Sequence, residues 1–237
     1  MSDDALLPRP FALGFDFDHT LGSDQGLERR AFYELAVEAG VPIDPDDPGW
    51  QARLDELLEL FRSERITLDA MLARFSAALG VLPLRAERWQ AHCFALVDQL
   101  VRPLAGAREL LTALRARGVP HAILTNGWSP LQEKKIARAL GESVVGTSVL
   151  VSDLLGVAKP APGAFAALTD ELGMERERCW YVGDNPQADV GGALAAGLRA
   201  IWLDEHGASY PQDVPRPTVR VTTLRELQAL IENTFAP

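Results

Sequence analysis

The chain has 237 residues, 47% hydrophobic and 24% charged, enough to bury one substantial core with room for a second, smaller unit. Its formal net charge of -10 argues against nucleic acid or an anionic membrane as partner, since both need a basic footprint, and no apolar run approaches a bilayer span. Met1 to Pro10 carries acids and prolines without a basic region ahead of an apolar stretch, so nothing there resembles a secretory signal. Cys93 and Cys179 lie far apart in no metal-ligand spacing, which suits buried, reduced thiols and a cytoplasmic setting. Lysine is rare, with only Lys134, Lys135 and Lys159 present, so an isolated lysine in an apolar setting is informative.

In chain order, the apolar run Phe11 to Phe15 ends in Asp16 and reads as a buried strand entering a functional loop. Helices only follow, from Leu27 to Ala39, Trp50 to Phe61, Leu68 to Leu79 with Thr67 as N-cap, and Arg85 to Val101. The loop with Pro42, Pro45, Pro48, Asp44, Asp46 and Asp47 reads as a solvated turn. Strands and helices then alternate: helix Leu104 to Arg117, strand His121 to Leu124 before Thr125-Asn126-Gly127, helix Pro130 to Leu140, and helix Pro162 to Leu172. Next come strand Cys179 to Val182 before Gly183-Asp184, helix Gln187 to Ala196, strands Arg199 to Leu203 and Val219 to Val221, and helix Leu224 to Asn233. Glycine closes six of these helices, at Gly40, Gly80, Gly118, Gly141, Gly173 and Gly197, as a left-handed C-terminal cap would. The expectation is an α/β fold: an open, Rossmann-like parallel sheet with helices on both faces, formed by residues 1–21 and 101–237. Residues 22–100 are expected to form a separate, all-helical cap domain.

In such a sheet, ligands bind outside the carboxyl ends of the strands, where polar residues distant in sequence converge. Those residues are Asp16 and Asp18, Thr125 and Asn126, Lys159, and Asp184 with Asp189. Their types suit phosphoryl transfer: carboxylates for a divalent cation, a hydroxyl and amides for phosphate oxygens, and a lysine to offset negative charge. Taken singly, each also has a purely structural reading. Asp-x-Asp and Thr-Asn-Gly can be turns, Lys159 a solvated lysine at a helix start, and Asp184 and Asp189 capping or surface residues. Their coincidence at one edge of one sheet favours chemistry.

Phe15-Asp16-Phe17-Asp18-His19-Thr20-Leu21 resembles the first motif of the haloacid dehalogenase superfamily. Leu124-Thr125-Asn126-Gly127 is similar to its second motif, Lys159-Pro160 to its third, and Gly183-Asp184 through Asp189 to its fourth, in order along nearly the whole chain. The resemblance implies Asp16 as nucleophile, Asp18 as general acid and base, and Thr125 with the Asn126 amide as phosphate clamp. It also implies Mg2+ held by Asp16, Asp184 and the Asp18 main-chain carbonyl, with Asp189 either near the metal through water or orienting Lys159. His19 stands where the family commonly has glycine, and reads as a tolerated variation. Trp128 reads as packing.

Within the family, Asp18 sets the chain apart from dehalogenases, which lack that second aspartate. The helical insert contains no lysine, which argues against phosphonatase chemistry and against mutases that hold phosphate with a cap lysine, although Arg29, Arg62, Arg65 or Arg74 could substitute. The expected reaction is Mg2+-dependent hydrolysis of a small phosphomonoester through an aspartyl-phosphate. Phosphomutase action, or binding without catalysis, are the alternatives. An insert of this kind is expected to close over the site and admit small metabolites such as a nucleoside monophosphate, phosphoglycolate or a sugar phosphate. Either a monomer or a homodimer fits.

Overall fold

The computed structural model describes residues 11–62 and 65–235; the Met1 to Pro10 stretch read above for a leader lies outside them. Two compact units emerge, one of residues 1–23 and 102–237, the other of Asp24–Val101.

The first unit starts with β1 (Ala12–Phe15) and β2 (Gly22–Ser23). The second unit holds α1 (Leu27–Glu38), α2 (Pro48–Arg62), α3 (Leu68–Leu79) and α4 (Ala86–Leu100). The chain then returns through β3 (Arg102–Pro103), α5 (Ala107–Ala116), β4 (His121–Thr125), α6 (Leu131–Leu140), β5 (Ser148–Val151) and α7 (Ser152–Leu155). It ends with α8 (Pro162–Leu172), β6 (Cys179–Gly183), α9 (Gly192–Ala195), β7 (Arg199–Leu203), β8 (Val219–Val221) and α10 (Leu224–Phe235).

Six strands form one sheet in the order β5-β4-β1-β6-β7-β8, and every pairing in it is parallel. The alternation of a strand sends Ala12, Ala122, Leu124, Tyr181, Ala200 and Trp202 into a core with Phe165 and Leu168 of α8 and Ala193 of α9. The intervening Leu13, Phe15, Ile123, Val182 and Ile201 are buried as well, so both faces are covered, as apolar parallel strands require. Because β1 lies between β4 and β6, the strand ends carrying Asp16, Thr125 and Gly183 are neighbours. The expected α/β parallel sheet is therefore present.

Three local readings need correction. The sequence reading omits β5, a four-residue edge strand that runs straight into α7 with no glycine between them. The helix placed at Leu104 begins at Ala107, because Gly106 takes a left-handed conformation with φ 90°. The helix placed at Gln187 to Ala196 is a π-type turn over Pro186–Gly191 followed by the short α9; the Gly191-Gly192 pair weakens regular α-helical structure there.

The helical unit packs around aromatic rings: Phe32 lies 4.6 Å from Phe75 and 5.5 Å from Trp89, and Phe61 meets Trp89 edge-on at 6.2 Å between centroids. Such tilted and edge-on contacts suit ring quadrupoles. Thr67 caps α3, its hydroxyl accepting from Ala70 N at 3.2 Å, and Gly80 ends that helix with φ 70°. Arg29 is paired with Asp55, and Arg62 with Glu28 at 2.5 Å.

Candidate active site

Lys159 organises the rim of the sheet. Its ammonium donates to Asp16 Oδ1, Asp189 Oδ1 and the Tyr181 hydroxyl, each at 2.8 Å, so its three N–H groups meet three acceptors. Tyr181 in turn donates to Leu124 O at 2.6 Å. The lysine backbone is fixed by the Asn126 side chain, whose Oδ1 accepts from Lys159 N at 2.9 Å and whose Nδ2 donates to Lys159 O at 2.8 Å. The Asn126 side chain thus clamps the loop carrying Lys159, a task distinct from the amide function expected of this residue. Thr125 is fully buried, and its hydroxyl makes only a marginal 3.4 Å contact with Asn126 O, which leaves it able to bond a better acceptor.

Asp16 leaves the end of β1 with its N–H on Val182 O at 2.9 Å. Asp184 is held from two sides, by Trp202 Nε1 on its carbonyl at 2.9 Å and by the Thr20 hydroxyl near its carboxylate at 3.4 Å. Asp189 is buried, and its second oxygen accepts from Asn185 N at 2.9 Å. It reaches that position because Gly183 has no side chain; a Cβ there would stand 2.3 Å from the Asp189 carboxylate. Of the two roles considered for Asp189, the direct contact is with Lys159.

Asp16, Asp184 and Asp189 each offer a carboxylate oxygen within 4.8 Å of the others. Burial is the main cause that raises the Asp16 pKa to about 7, against the pull of Lys159 and with help from Asp189 and Asp18. Burial likewise raises Asp184 to about 8, with Asp16 and Asp189 adding to it. Burial would by itself lower Lys159, but Asp16 and Asp189 outweigh it and hold the ammonium well above the usual lysine range. The cluster is short of positive charge, and its donors are hard oxygens, so a small divalent cation such as Mg2+ suits it.

Asp18 has partners of its own: its Oδ2 accepts from Gln132 Nε2 at 2.9 Å and its Oδ1 stands 2.5 Å from Lys135 Nζ. Neither Gln132 nor Lys135 emerged from the sequence as a site residue, nor did Tyr181. The signal for Lys135 was present, because it sits among the buried residues of α6, beside Ile136 and one turn from Leu131. His19 is exposed, with φ 59°, a left-handed conformation that explains why glycine suits this position.

The parallel order and the acid-and-lysine rim define an open-sheet α/β core of the kind that holds an active site at its strand ends. The haloacid dehalogenase-like hydrolase family model matches residues 12–197, and the chain belongs to this family as a phosphatase-like member, a phosphoric monoester hydrolase. It is 34% identical to the phosphoserine phosphatase of Thermus thermophilus, over 90% of this chain and 95% of that protein. It is also 34% identical to the pyrimidine 5'-nucleotidase YjjG of Escherichia coli, over 92% of this chain and 96% of that one. Among solved structures, the magnesium-bound HAD-hydrolase YfnB of Bacillus subtilis superimposes with a TM-score of 0.77 at 22% identity, over 94% of this chain and 99% of that chain. No helix among the described residues is long and apolar enough to cross a membrane.

Proposed function

We propose that the protein is a Mg2+-dependent phosphatase of a small phosphorylated metabolite, acting through a phosphorylated Asp16. The carrying observation is the Asp16 carboxylate held at 2.8 Å by Lys159, with the Asp184 and Asp189 oxygens beside it. Asp16, Asp184 and the Asp18 main-chain carbonyl would hold the cation. When bound, Mg2+ supplies charge that screens the attacking carboxylate from the phosphoryl oxygens.

A carboxylate oxygen of Asp16 forms a bond to phosphorus as the ester P–O bond breaks, and Asp18 delivers a proton to the departing alkoxide. Asp18 then takes a proton from the water that attacks the acyl phosphate, releasing inorganic phosphate and restoring Asp16. Thr125 and the Asn126 amide receive phosphoryl oxygens, and Lys159 offsets their charge. Residues 24–101 serve as a substrate-selecting cap, and their lack of lysine favours hydrolysis over a lysine-assisted transfer. The small-metabolite reading draws on relatives that carry the names phosphoserine phosphatase and pyrimidine 5'-nucleotidase. Two buried cysteines outside any disulfide are in keeping with a cytoplasmic setting.

The test is phosphate release from a panel of amino-acid, nucleotide and sugar monophosphates, with and without Mg2+, for the native chain and for Asp16→Asn. Activity on the panel that needs no divalent cation, or that survives Asp16→Asn, would overturn the mechanism.

A further inference from the structure

We infer that Gln132 and Lys135 are positioning residues for Asp18, and that α6 therefore takes part in the reaction although none of the four motifs lies on it. The two residues are three positions apart on one helix, so their side chains project from the same face. Each engages a different oxygen of the Asp18 carboxylate, Gln132 Nε2 at 2.9 Å from Oδ2 and Lys135 Nζ at 2.5 Å from Oδ1. A carboxylate gripped at both oxygens cannot rotate about its terminal bond. Its orientation toward a leaving group is set before substrate arrives, which is what proton transfer in a short-lived transition state requires.

Both holders are themselves fixed. Gln132 is 5% exposed and Lys135 2%, and lysine is seldom buried to this extent unless paired. Phe17 places its ring 5.8 Å from the Lys135 ammonium. The Gln132 amide also donates to Asn126 O at 2.9 Å, so a single NH2 group joins Asp18 to the segment that carries Thr125 and Asn126. That close approach needs Gly127, where a Cβ would lie 2.4 Å from Gln132 Nε2. The contact between Lys135 and Asp18 Oδ1 is an ion pair without the alignment of a hydrogen bond, so Gln132 sets direction while Lys135 supplies charge. The two are complementary, and neither alone fixes the carboxylate.

This inference rests on the general acid and base role given to Asp18, and the experiment separates the two. Lys135→Met and Gln132→Met are assayed with an alkyl phosphate, whose leaving group needs a proton, and with 4-nitrophenyl phosphate, whose leaving group does not. The readout is kcat/KM, which reports the first transfer to Asp16. The expected result is a loss of about 10–100-fold on the alkyl ester, the scale of a misplaced catalytic group, and under about 3-fold on the aryl ester. Equal losses on both esters, or none, overturn the inference, because a merely structural role would not distinguish leaving groups. In an Asp18→Asn background, adding Lys135→Met should cost less than about 2-fold further; a full additional loss also overturns it. In melting experiments on the same variants, the double substitution should lower Tm by less than the sum of the single ones. If Asp18→Asn alone leaves the alkyl ester reaction intact, the reading of Asp18 is what fails. Should Lys135→Met not fold, Gln132→Met carries the same comparison between esters.

Discussion

The ionic groups of the two units stand in contrast. In the sheet unit, Lys159, Asp16 and Asp189 are almost wholly removed from solvent, with side chains 3%, 11% and 2% exposed. In the helical unit, Arg29 and Asp55 are 37% and 54% exposed, and Arg88 with Glu38 is similarly open. Both units pair basic with acidic side chains. Water screens these exposed helical pairs, whereas the strand-end groups act on one another at low effective dielectric, which is where pKa values shift and charge can be used chemically.

If this contrast is sound, substitutions should rank by burial. The largest effect is expected for Asp16→Asn, with phosphate release falling by at least about 10³-fold, the scale of losing an attacking group, while circular dichroism remains native. Lys159→Met should follow, with activity falling about 10²–10³-fold and stability in urea by about 3–5 kcal/mol, because Asp16 and Asp189 lose their buried counter-charge.

Next in size is a pH effect in protein stripped of divalent cation. Asp16 and Asp184 have folded-state pKa values raised from 3.8 to about 7 and about 8. As pH climbs above the unfolded value, the unfolded chain ionises first, so stability is lost from about pH 4 to pH 8 and then levels off. Mg2+ should restore it most at the alkaline end, as thermal melts across pH would reveal; a melting temperature flat over that range would break the contrast. Smaller still, Thr67→Ala removes the α3 cap and should cost about 1 kcal/mol. Arg29→Ala should change stability by no more than about 1 kcal/mol, and a larger loss would mean that the exposed pairs matter as much as the buried ones.

Much of this arrangement can be read from the sequence, for identifiable reasons. Strands at Phe11 to Phe15, His121 to Leu124 and Cys179 to Val182 are legible because each is a continuous apolar run stopped by polar residues, the mark of a strand covered on both faces. Asp16, Thr125, Lys159 and Asp184 are legible because they occupy those stops or match ordered motifs. Strand β5 is not, since all but the last of its four residues are only partly buried and no turn punctuates its end. Tyr181, Gln132 and Lys135 are missed for a different reason: they lie within a strand or a helix, where side chains ordinarily pack, and the acidic or basic group each one meets is remote, Lys159 for Tyr181 and Asp18 for Gln132 and Lys135. The Asn126 side chain shows a further limit, because a motif names a residue without saying which of its atoms is engaged.

The short ribbon of β2 and β3 carries a consequence for how such a chain can be rebuilt. Gly22 pairs with Pro103 and Ser23 with Arg102, antiparallel, so the two cut ends of the sheet unit stand as far apart as the arms of a hairpin, about 5 Å. A two-residue Asn-Gly turn could bridge them, and foreign sequence of any length could be spliced at the same junction without stretching the main chain on either side. The scaffold is built like a socket, with the wiring for its insert brought to one doorway.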